Sequence, residues 1–75
     1  MPYGAISELP RAVRESLPKK AQQIYRSAFN HAWIEYADAR RRRDGASREE
    51  TAHRVAWSAV KQKYEKQGER WVEKR

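Results

Sequence analysis

Seventy-five residues make one domain, spanning residues 1–75, and little more; a chain of this size buries only ~60% of its unfolded surface, so the core has to be compact. The absence of cysteine excludes disulfides and thiolate zinc sites and leaves packing alone to hold the fold. Seventeen basic against ten acidic side chains give a net charge of +7, which favours nucleic acid, an anionic membrane surface or an acidic protein as partner.

The opening stretch reaches charge at Glu8 without the apolar run of a secretory signal, so a cytoplasmic location is expected. Nowhere does an apolar run approach the ~20 residues needed to cross a bilayer. The chain is therefore not expected to span a membrane or to conduct an ion itself, and any link to transport has to be regulatory.

In chain order, a Leu-Pro step occurs twice, at Leu9-Pro10 and at Leu17-Pro18. Residues 10–16 between the steps read as a short helix, with Val13 and Leu17 packing across the longer helices downstream. From Pro18 the apolar residues Ala21, Ile24, Tyr25, Ala28, Phe29, Ala32, Trp33, Tyr36 and Ala37 alternate steps of three and one. That spacing predicts one amphipathic helix over residues 18–43, closed by Asp44-Gly45 and about 39 Å long at ~1.5 Å per residue. This segment holds seven basic and two acidic side chains, so most of the surplus charge sits on it.

Ser47-Arg48-Glu49-Glu50 has the form of a capping box and predicts the start of a second helix, whose face is Ala52, Val55, Ala56, Ala59, Val60 and Lys63, widened by Trp57 and Tyr64. Gly68 is expected to end it. The two helices, joined by residues 43–46, predict an antiparallel hairpin whose alanines let the backbones approach while Tyr25, Phe29, Trp33 and Trp57 fill the gaps. Beyond Gly68, Trp71-Val72 is too apolar for a free tail and is expected to fold back near Tyr3 and Ile6 as a small strand pair. The expected class is mainly α, a three-helix domain built on a long helical hairpin with a small β pairing of the termini.

Leu9-Pro10, Leu17-Pro18, Ala21-Gln22, Ile24-Tyr25, Ala28-Phe29-Asn30, Ala32-Trp33, Ser47-Arg48-Glu49-Glu50-Thr51-Ala52-His53, Val55-Ala56-Trp57, Val60-Lys61 and Tyr64 occur in this order. With them the chain closely resembles the ChaB family over nearly its whole length, most densely across residues 46–61. The resemblance implies a small three-helix domain with minor β structure. It also implies regulation of cation transport, a name resting on bacterial gene association with a sodium or calcium/proton antiporter. The chain departs from the family at Lys20, where many members carry histidine, and in its strong positive charge.

Arg40, Arg41, Arg42 and Arg43 are the sharpest charged feature, since adjacent guanidinium groups can form forked contacts to phosphates or carboxylates. With Lys19, Lys20, Arg26 and Arg54 they form the candidate set for an anionic partner. Their bland reading is a solvated helix end whose cations oppose the helix dipole. Consecutive residues fan around a helix axis, so a nucleic acid here would be held by its backbone and not read by its bases. No helix-turn-helix, zinc finger or aromatic RNA-binding signature accompanies the run.

His31 and His53 lack further ligands at metal-binding spacing, and His53 reads as a partly buried ring beside an aromatic cluster. Glu49 and Glu50 are explained by capping, and Trp33, Trp57, Trp71, Tyr25, Tyr36 and Tyr64 read as core before they read as stacking platforms. No spacing joins a nucleophile to a base, so neither an enzyme nor a cofactor is expected. The expected function is a cytosolic interaction module that regulates sodium or calcium/proton transport by binding a protein such as an antiporter or its regulator. The alternative is a basic protein that contacts nucleic-acid phosphates. Adsorption to anionic lipid fits less well, because both apolar faces are needed for the core.

Overall fold

The computed structural model describes residues 2–42 and 45–74; Arg43 and Asp44, which belong to the expected interhelical loop, lie outside the described residues. The proline steps act locally, as the sequence suggests. A 3-10 turn at Ile6–Glu8 runs into Leu9, and α1, Arg11–Ser16, begins directly after Pro10, whose carbonyl accepts from the N–H of Val13 and of Arg14. Leu17 is extended, the conformation favoured before proline, and Pro18 then launches α2, Lys19–Glu35. Gln22 on α2 reaches back with Nε2 to the carbonyls of Arg14 and Leu17, at 3.2 and 2.8 Å, and so ties the open end of α1 to the next helix.

α2 buries Ala21, Tyr25, Phe29 and Ala32, and α3, Arg48–Lys63, buries Thr51, Ala52, Ala56 and Val60. The two stripes face each other as an antiparallel pair, and Leu9, Val13, Leu17 and Tyr64 close the core around them. Ala21, Ala32, Ala52 and Ala56 have no exposed surface, so the backbones approach where the side chains are smallest. α3 starts at the expected cap: the Ser47 hydroxyl accepts from the Glu50 N–H at 3.0 Å, while the reciprocal bond of a capping box, from the Ser47 N–H to the Glu50 carboxylate, is not formed among the described residues.

Both helices stop earlier than the periodicity predicts. α2 ends at Glu35, about 25 Å from its start instead of 39 Å. Past Tyr36 the next residues bury nothing and four adjacent cations would have to share one helix end. Asp38 instead caps a second 3-10 turn at Ala39–Arg41, its Oδ1 accepting from the Arg40 N–H at 2.9 Å. Gly45 takes a left-handed φ of 69° between the helices.

α3 gives way at Tyr64, well before the expected stop at Gly68. Strands β1, Tyr64–Gln67, and β2, Arg70–Glu73, pair antiparallel with Lys66 opposite Trp71. Gly68, at φ 64°, serves the tight turn between them. The small β element therefore forms inside the carboxy-terminal segment and does not join the termini. The amino-terminal segment is already engaged: Tyr3 lies on Phe29 with centroids 4.7 Å apart, its N–H donates to Asn30 Oδ1, and Asn30 Nδ2 donates to its carbonyl, both at 2.8 Å.

Candidate binding site

The eight candidate cations fall into separate places. Lys19 and Lys20 lie exposed in the first turn of α2, about 25 Å along that helix from the arginines beyond its other end. Arg26 folds onto the amino-terminal segment and donates from Nη1 to the Tyr3 carbonyl at 3.3 Å. Arg40 is exposed and pairs with Asp38 at 2.9 Å. The hydrogen bonds from its side chain and backbone hold the Asp38 carboxyl below the ordinary carboxylate range.

Arg42 turns inward. Its Nη1 donates to the carbonyls of Tyr36 and Ala37 at 2.9 and 3.2 Å, and its Nε to that of Ala46 at 3.0 Å. It closes the end of α2 and ties the loop to it, so it is not free for a partner. Arg43 lies outside the described residues. Arg41 and Arg54 do come together, lining one cleft with Tyr36, Thr51 and Val55.

Arg54 also edges a second, larger feature. On the outer side of α3, Arg54, Trp57, Ser58 and Lys61 follow helical spacing beside the buried stripe, and Trp71 of β2 completes an open, mainly apolar groove with them. The rings of Trp57 and Trp71 lie 5.7 Å apart, inclined at 34°, and both are half-buried. Trp57 is braced from behind by Tyr25, 5.2 Å away and nearly perpendicular. Among the described residues neither Arg54 nor Lys61 makes an ion pair.

Ser58, Lys61 and the union of Trp57 with Trp71 were not singled out from the sequence as a site. Arg54, Trp57 and Lys61, at steps of three and four, form a stripe legible there; Trp71 joins only through the hairpin register. The third tryptophan is structural: Arg48 donates from Nε to the Trp33 carbonyl at 2.7 Å and its guanidinium lies 4.2 Å over the Trp33 ring.

His53 is a partly buried ring among aromatics, as its position suggests. Its Nδ1 is hydrogen-bonded to the Tyr25 hydroxyl, its Nε2 lies 3.6 Å from Glu49 Oε1, and its ring packs on Phe29 at 4.7 Å. Among the described residues no three His, Cys, Asp or Glu side chains gather as a metal would require. No helix among them is long and apolar enough to cross a membrane.

Burial, and to a lesser degree the neighbouring Tyr3, pushes the Tyr25 phenol well above its ordinary value near 10. The unfolded chain releases that proton first, so the stability carried by the neutral phenol is complete below pH ~10 and is lost as the pH rises further. Tyr25→Phe is expected to move alkaline unfolding to higher pH, read as phenolate absorbance. At neutral pH it is expected to cost about 1–3 kcal/mol, because His53 loses a buried partner.

Comparison with known proteins places these features in context. The sequence model of the ChaB family matches residues 9–74. Proteins of Escherichia coli (strain K12) and Shigella flexneri, both named "Putative cation transport regulator ChaB", are 55% identical over 75 residues, covering 99% of each chain. The NMR solution structure of a protein of that name superposes with a TM-score of 0.82 at 53% identity, covering 99% of this chain and 100% of the other. The three helices and the small two-stranded sheet are thus the architecture of a solved relative.

Proposed function

The chain belongs to the ChaB family, and from that premise we propose that it is a cytosolic interaction module that regulates cation transport by binding a protein, an antiporter or a regulator of one. The observation that carries this reading is the groove between α3 and β2. Two half-buried tryptophans line it, and Arg54 and Lys61, which make no ion pair among the described residues, edge it. Aromatic side chains in a depression, with cations at the rim, are the composition of protein-binding hot spots.

The reading as a nucleic-acid protein has less support. A phosphate track needs cations in a row, whereas Lys19 and Lys20 stand a helix length from the arginines, and Arg26, Arg40 and Arg42 are engaged within the fold.

The test is genetic and biochemical together. A deletion strain is expected to lose part of its tolerance to sodium, calcium or alkaline pH, to regain it with the wild-type gene, and to yield a cation transporter or transport regulator on purification of the tagged protein. Unchanged tolerance with no such protein retained would sink the proposal.

A further inference from the structure

We propose that the Trp57–Trp71 groove takes an acidic protein segment, one apolar side chain laid across the two adjoining indoles and carboxylates on either side meeting Arg54 and Lys61; this rests on the proposed function, that the chain binds protein. Arg54 and Lys61 are seven residues apart on α3, hence about 10 Å along its axis, with Trp57 between them. In an extended segment, side chains two residues apart share a face, so an acid, an apolar residue and an acid at alternate positions all face the groove, with the outer two ~13 Å apart, a span that the long side chains of Arg54 and Lys61 reach.

Charge selects the occupant. Two cations at the rim of an apolar groove lose water when it is covered, and that loss is offset by a partner that brings anionic groups to meet them. A second copy of this chain, at net charge +7, brings mostly like charge. Single-stranded nucleic acid needs free ring faces to stack upon, while Trp57 and Trp71 are both half-buried and lie against each other at 5.7 Å, with Tyr25 edge-on to Trp57. An apolar depression of that kind accepts a branched aliphatic side chain more readily than a stacked base.

The groove also has a direction. Past Arg54 the surface continues into the cleft that Arg54 shares with Arg41, Tyr36 and Thr51, whereas Lys61 is the cation that lines the groove at its other end. The bound segment therefore carries more acid at the end that meets Arg54.

The test uses the full chain and synthetic peptides with a leucine between glutamates, set against versions with glutamine for glutamate or serine for leucine, and against oligothymidylate. The indole N–H signals of Trp57 and Trp71 are followed by NMR. The acidic leucine peptide is expected to shift both, and either replacement in the peptide, or Arg54→Glu with Lys61→Glu in the protein, is expected to weaken binding roughly tenfold or more. Both protein side chains are exposed, so the doubly reversed variant should keep its unfolding midpoint. Equal binding of the glutamine peptide, no binding of the acidic one, or a stronger response to oligothymidylate overturns the proposal. A doubly reversed variant that still restores cation tolerance and retains its partner overturns this inference alone and leaves the proposed function standing.

Discussion

Phe29→Ala is expected to cost about 3–5 kcal/mol, the range for truncating a fully buried aromatic ring. Phe29 has no exposed surface, and Tyr3, Trp33 and His53 all lean on its ring, at centroid distances of 4.7, 5.9 and 4.7 Å. Removing the ring opens a cavity where α2, α3 and the amino-terminal segment meet. A domain of this length has roughly 4–11 kcal/mol of stability in all, so the variant should melt roughly 12 °C lower or more. Ile34, 74% exposed on the same helix, provides the control: Ile34→Ala should change stability by no more than about 0.5 kcal/mol. Denaturant and thermal midpoints of the two variants decide the matter, and equal costs would mean that the helix faces have been assigned wrongly.

What the sequence made legible was what repeats locally. The core positions of α2 and α3 recur at steps of three and four, and the Ser47 cap and the two Leu-Pro steps each act within a few residues. These stand where the pattern places them, except that Lys63, at the end of the expected face of α3, is exposed, as its charge requires. The end of α2 was not legible, because Tyr36 and Ala37 keep the apolar phase of the helix after the chain has left it. The turn is made by the Asp38 side chain and by carbonyl contacts of Arg42, whose geometry no periodicity encodes. Gly68 was ambiguous for another reason: a helix stop and a tight hairpin turn both want a left-handed glycine. Trp71 then went to Trp57 and not to Tyr3 and Ile6, because the hairpin folds β2 back along α3. The groove was half visible in advance as the stripe of Arg54, Trp57 and Lys61, and its other wall depended on a contact across the fold.

Arg42→Ala is expected to cost about 2–3 kcal/mol, the loss expected when charged hydrogen bonds to partly buried carbonyls are removed. Three carbonyls, of Tyr36, Ala37 and Ala46, share its guanidinium and would be left to water or to nothing. Arg42→Lys keeps the charge but not the fork, so it should recover the smaller part of the loss. Arg40→Ala and Arg41→Ala should leave the midpoint nearly unchanged, since Arg40 makes only a surface pair with Asp38 and Arg41 is exposed. Amide exchange in the last turn of α2, at Tyr36 above all, should quicken in Arg42→Ala and stay slow in the other two. The contrast separates residues that composition treats alike: a run of solvated charges predicts equal and small effects along it. A cation enlisted to close a helix predicts one large effect at position 42, and with it a loosened Arg41 and weaker binding of acidic peptide at the Arg54 end of the groove.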